Sequence, residues 1–171
     1  PAASGKANAM KRTLRRIGAI LLSILLTLLL IVVGFVIYLT AAEFKPEPVE
    51  TLQIGGKAEK TIQEGGALSI LSYNIGYGSL DKTQDFFMDG GKNVRPETDE
   101  NVRKNIAGIG KIIQDAECDV QFLQEVDKSS KRSYFVDQTA SLSNLIGGTN
   151  AFAVNYSCQY VPFPLPTIGK V

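Results

Sequence analysis

Between Ile17 and Leu39 the chain reads IGAILLSILLTLLLIVVGFVIYL, with no charge and only Ser23, Thr27 and Tyr38 as polar interruptions. A helix of that length reaches roughly 35 Å, enough to cross a hydrocarbon core of about 30 Å with some tilt. The run predicts a retained membrane anchor over 17–39. A cleaved secretory signal is the competing reading, because Thr40–Ala42 offers small residues to a peptidase, but signal cores usually extend only about 7–15 residues. Past the anchor the periodicity disappears. Residues 40–66 mix Pro46, Pro48, charges and two Gly-Gly pairs, a composition that predicts a juxtamembrane linker, with a short hairpin over 49–62 as an option.

Periodic patterning returns near Ala67. Leu68–Ile75 is a mostly apolar run of strand length, followed by a long segment broken by Gly90, Gly91 and Pro96. Over 101–117 the apolar positions Val102, Ile106, Ile109 and Ile113 recur at three- and four-residue spacing, the pattern of an amphipathic helix lying on a sheet. Cys118–Val126 predicts a second strand, 137–148 a helix that stops at Gly147, and 151–163 a third strand ended by prolines. Strands alternating with helices predict a layered α/β domain over 67–171.

Charge adds a direction to the anchor. Lys11, Arg12, Arg15 and Arg16 precede the apolar run without an acidic residue among them, while Glu43 and Glu47 follow it. The positive-inside rule then keeps residues 1–16 in the cytoplasm and sends the rest outward, as a single-pass protein of the cell membrane. Residues 1–9 precede Met10, a natural start, and read as an extraneous extension. Outside the cell a disulfide between Cys118 and Cys158 is permitted but not required. The sequence contains no histidine, which removes the usual general base and the commonest transition-metal ligand.

Two polar side chains stand at the carboxyl ends of predicted strands: Asn74 on the first and Glu125 on the second. In α/β sheets ligands gather outside those ends, so both groups could face one crevice. A carboxylate there suits a hard cation such as Mg²⁺, which takes one or two protein carboxylates and completes its sphere with water and phosphate. Gly76 and Gly78, directly after Asn74, let the backbone turn away sharply. Arg132, shortly after the second strand, is placed either to grip a phosphate with its planar fork or to lie solvated in a loop. Asp127 is either a supporting acid or a turn residue. The apolar residues Phe86, Phe87 and Met88 of the long loop either shape a pocket or pin the loop to the body.

The stretches LSILSYNIGYG (Leu68–Gly78) and CDVQFLQEVD (Cys118–Asp127), separated by a helix, resemble the first two motifs of the endonuclease/exonuclease/phosphatase (DNase I-like) superfamily. The resemblance spans 67–171. It implies part of a four-layer α/β sandwich, a catalytic Mg²⁺ or Mn²⁺ on Glu125, and Asn74 positioning that metal or the scissile phosphate. Members of the superfamily also carry a later Asp-x-Asn pair and a terminal Asp-His pair, and neither occurs here. The resemblance therefore implies the N-terminal half of a longer hydrolase, catalytically silent by itself. The expected substrate is a phosphoester. A lipid or small phosphodiester is favoured over nucleic acid, because the region lacks the strongly basic character that a phosphate backbone demands. The alternative expectation is a membrane-anchored surface module that keeps the fold and binds a partner without catalysis.

Overall fold

The computed structural model describes every residue except Pro1, Glu59 and Pro166, with the backbone alone for residues 2–9. The chain forms two units, Pro1–Glu43 and Phe44–Val171.

The first unit is one helix, α1 (Ala2–Ala41). Its Met10–Ala41 portion is long and apolar enough to cross a membrane, and it contains the whole predicted anchor. Two of its hydroxyls are satisfied internally: those of Thr27 and Thr40 donate to the carbonyls of Ser23 and Val36, each at 2.9 Å. This back-bonding removes the cost of an unpaired hydroxyl in hydrocarbon.

The second unit mixes helices with two small sheets. Strand β1 (Ile54–Gly56) comes first, then β2 (Ile70–Asn74), helix α2 (Asp99–Ala116), β3 (Val120–Gln124), helix α3 (Gln138–Ile146) and β4 (Thr149–Ala151). Strands β2 and β3 pair in parallel, with Ile70 opposite Val120 and Asn74 opposite Gln124. The crossover between them is α2, as parallel pairing requires. Thr98 begins α2 by accepting the Asn101 N–H, and Asp99 and Glu100 favour its positive end. Val102, Ile106, Ile109 and Ile113 are all buried on its inner face. They form the core with Ile75, Val136 and Leu142, against which Leu71, Tyr73, Leu123 and Ile146 pack. Asp137 caps α3 by accepting from the Ala140 N–H at 2.8 Å, and Gly147 follows its last turn.

Three expectations change. The third strand predicted over 151–163 is reduced to β4 at its first residue, followed by extended chain and a bridge between Val161 and Gly169. Cys158 and Val161 pair instead with Val171 and Gly169, and Pro162 and Pro164, with no N–H to donate, end that pairing beyond Val161. Among the described residues no hairpin closes over 49–62. Instead β1 pairs antiparallel with β4, Ile54 opposite Ala151, so the 40–66 segment contributes a strand. The sheets are two-stranded, β1–β4 and β2–β3, so the α/β class stands while the four-layer sandwich does not appear among the described residues. Cys118 and Cys158 are free thiols.

Candidate functional site

The carboxyl ends of β2 and β3 are joined beyond the last paired residues. The Ile75 N–H donates to the Gln124 carbonyl at 3.0 Å and the Tyr77 N–H to the Glu125 carbonyl at 2.8 Å. The Asn74 Oδ1 accepts from the Gly76 N–H at 2.9 Å, which folds the chain back in a local side-chain turn. Gly76, Tyr77 and Gly78 then all take positive φ, at 52°, 44° and 62°. Glycine suits the first and third of these. A Cβ on Gly78 would lie 2.9 Å from Ile106 Cδ1. Tyr77, a bulky residue in the left-handed region, is held there by burial. Glu125 also has positive φ, 55°, which bends the chain out of β3 and leaves the residue exposed.

Behind these ends lies a buried polar network. Arg132 donates from Nε and Nη2 to the two carboxylate oxygens of Asp127, at 3.0 and 2.9 Å, the bidentate geometry that suits a guanidinium best. The Ser133 hydroxyl donates to Asp127 Oδ2 at 2.8 Å. The guanidinium carbon of Arg132 stands 3.9 Å from the Tyr77 ring centroid, within cation–π range. Gln138 joins the strands' exits: its Oε1 accepts from the Asp127 N–H at 3.0 Å, and its Nε2 donates to the Tyr77 carbonyl at 2.6 Å.

Charge follows from this packing. Burial pushes the Tyr77 phenol up to about 12; Arg132 opposes that rise, and Glu125 and Asp127 add to it. Burial works against the Arg132 charge, but the bonds and the proximity of Asp127, with help from Glu125, outweigh it and hold the guanidinium above its ordinary value. Glu125 is thus felt by both Tyr77 and Arg132.

The strand register brings Asn74 and the backbone of Glu125 to the same end of the same sheet. Asn74 has one lone pair of Oδ1 engaged and its NH₂ group still available. Among the described residues no hydrogen bond or ion pair engages the Glu125 carboxylate. Asp127 is a buried anchor rather than a turn residue. The Nε–Nη2 edge of Arg132 is taken by Asp127, which leaves the Nη1 group for any ligand. In the long loop, Asp81 accepts from the Thr83 hydroxyl and N–H and from Asn105 Nδ2. Those bonds, the Thr83 hydroxyl first, hold its carboxyl below the usual range, so this end of the loop is pinned to α2.

Glu125, Asp127, Lys128 and Arg132 line a groove of about 980 Å³ together with the apolar Leu142, Ile146 and Phe152. Tyr77 and Gln138 were not evident from pattern alone. The signal for Tyr77 is an aromatic residue between two glycines; Gln138 shows none, since one polar residue at a helix start looks like a solvated position.

Among the described residues no cluster of three or more His, Cys, Asp or Glu side chains is placed to hold a metal. The register sets Asn74 opposite Gln124 rather than Glu125, so the Glu125 carboxylate offers one anionic oxygen ligand, and a hard cation such as Mg²⁺ or Mn²⁺ there would need substrate and water for the rest of its shell. It does not make a closed protein cage. No family model matches the chain, and no curated protein or solved structure does so either.

Proposed function

We propose that the second unit is the metal-holding part of a membrane-anchored phosphoester hydrolase, with Glu125 as the metal-binding carboxylate, Asn74 beside it, and the folded unit on the outer side of the membrane. The observation that carries the reading is the open Glu125 carboxylate, turned out of β3 at φ 55° and coupled through its carbonyl to the turn that follows Asn74. A divalent cation at Glu125 would supply charge stabilisation to a phosphoryl group. The chain's own residues do the rest of the positioning. Asn74 Nδ2 is a neutral donor for a phosphoryl oxygen, and Asp127 and Tyr77 hold Arg132 so that Nη1 presents positive charge without a search over rotamers. The groove sets Glu125 and Arg132 among apolar side chains of α3 and Phe152, with Asn74 outside its lining, a mixture that suits a lipid or other small phosphodiester better than a polynucleotide.

The test is metal binding by the whole chain in nanodiscs, read as loss of the free Mn²⁺ electron-paramagnetic signal. Glu125→Gln should weaken Mn²⁺ binding by at least about tenfold, the loss of one charged oxygen ligand, with an unchanged circular dichroism spectrum. Equal binding by both proteins refutes the metal assignment. It would leave the second reading, a non-catalytic binding module, which is favoured by the fact that Asn74 Oδ1 and the Arg132 fork are both engaged inside the fold.

A further inference from the structure

Among large apolar side chains after Val49, the three most exposed in the described structure are Leu165 at 81%, Met88 at 74% and Phe163 at 71%. They come from two loops separated by more than seventy positions in the sequence. Phe87, next to Met88, meets Phe163 edge-to-face with ring centroids 6.3 Å apart, and Phe86 packs on Phe87 at 4.9 Å. The loop tips therefore stand side by side, and a concentration of exposed apolar surface is a mark of an interaction site.

Both tips are built rigidly. The 86–91 turn is closed by the Gly91 N–H on the Phe86 carbonyl at 2.9 Å and by the Phe87 N–H on the Asn93 carbonyl at 3.0 Å, with Gly90 at φ 88°. Pro164 is buried between the outward-facing Phe163 and Leu165, and the Val161–Gly169 bridge fastens the second loop at its base. Apolar side chains fixed outward lose little freedom on binding, which favours their use as anchors.

The occupant is indicated by the same chain. Residues 42–53 contain no helix or strand and reach roughly 40 Å when extended, whereas a unit of this size has a radius of gyration of about 14 Å. A tether that long lets any face of the unit meet a bilayer crossed by α1 and keeps it at high effective concentration there. The face that stays is the one with apolar surface to bury. We infer that the tips around Met88, Phe163 and Leu165 form a membrane-docking patch, seated at the headgroup level of the lipid bilayer to which α1 tethers the unit. The inference is independent of the hydrolase reading. Asp89 and Lys92 both lie in the turn that carries Met88, so the charge beside this tip is mixed and a zwitterionic surface is the appropriate partner.

The chain contains no tryptophan, so an introduced indole reports alone. F163W in the 171-residue chain is reconstituted into phosphatidylcholine vesicles with bromine on the acyl chains, either near the headgroup or near the bilayer centre. I112W, on the exposed face of α2, is the control, and both variants are first shown to keep the parent's circular dichroism. F163W emission should fall at least about twofold with shallow bromines and less with deep ones, as for a side chain seated about 5–10 Å into the interface, while I112W is unaffected. M88W provides a second reporter at the other tip and should behave as F163W does. Quenching of F163W no greater than that of I112W overturns the proposal, as does deeper quenching from the bilayer centre.

Discussion

Removal of Asp127 tests the network behind the strand ends. In Asp127→Ala two charge-assisted bonds from Arg132 and one from Ser133 disappear together. The Asp127 side chain is 6% exposed and that of Arg132 21%. Deleting one member of a buried ion pair costs about 3–5 kcal/mol, chiefly because the remaining charge stays desolvated. Arg132 keeps partial access to water and the Tyr77 face, and Ser133 has the Ser130 carbonyl as a second acceptor. The lower end, about 3 kcal/mol, is therefore expected. Against a total stability of about 5–15 kcal/mol this is a large fraction. The measurement is a urea titration of the full chain in detergent, followed by the near-ultraviolet dichroism of the tyrosines. Asp127→Ala should lower the midpoint without a change of slope. The double variant with Arg132→Met should be less destabilised than the two single losses added together, by about 2 kcal/mol. A loss below about 1 kcal/mol for Asp127→Ala, or additive single losses, would mean that the pair is a surface contact and that Arg132 is not held by it.

Gly78→Ala should cost about 2 kcal/mol, from a methyl group at φ 62° and from its approach to Ile106 Cδ1; a thermal midpoint equal to the parent's would show that the turn is free to relax. Tyr77 should ionise last or nearly last of the six tyrosines, near pH 12, in absorbance at 295 nm, and Tyr77→Phe should remove that step. The folded state keeps a proton that the unfolded chain releases near pH 10. The Tyr77 contribution to stability is thus full below about pH 10 and declines as pH rises to about 12, so a parent and Tyr77→Phe that lose stability in parallel over that window would contradict the burial of the phenol.

The parts of the fold legible in the sequence are those fixed by local periodicity. Val102, Ile106, Ile109 and Ile113 repeat at helical spacing and are the inner face of α2, and Asp137 and Gly147 bound α3. The parallel pairing of β2 with β3 follows from an intervening helix of crossover length. The 151–163 run reads as a strand from its apolar residues, but beyond Ala151 its backbone partners are local pairs of Cys158 with Val171 and Val161 with Gly169 rather than a neighbouring strand of the sheet. The pairing of β1 with β4 was invisible for another reason. Ile54–Gly56 has almost no side-chain pattern, and its register depends on the close approach of Gly56 to the Gly148 carbonyl, a contact nearly a hundred positions apart. Of the two polar residues singled out at strand ends, Asn74 closes β2 and Glu125 directly follows β3, a placement that the apolar runs before them made legible. The engagement of Arg132 by Asp127 was not legible, since five-residue spacing in a loop implies no geometry.

The β2–β3 pair is a weak scaffold by itself, a two-stranded parallel sheet with Ile70 and Phe122 exposed on one face; parallel sheets are normally covered on both. The placement of Asn74 and Glu125 therefore depends on more than the ladder. Gln138 supplies part of it, because one buried amide binds the Tyr77 carbonyl after β2 and the Asp127 N–H after β3, while its own N–H donates to the Asp127 carbonyl at 3.0 Å. The first turn of α3 is thus fastened to both strand exits, and the cap at Asp137 sets the angle at which Gln138 enters. Tyr77 completes the arrangement by lying under Arg132, whose partner Asp127 is itself held by Gln138. Movement of either strand end would break bonds to buried groups that have no water to replace them. Order at the mouth of the groove is consequently a property of this closed set of loop and helix-cap contacts, and substitutions there should disturb the site more than equal losses on the open sheet face.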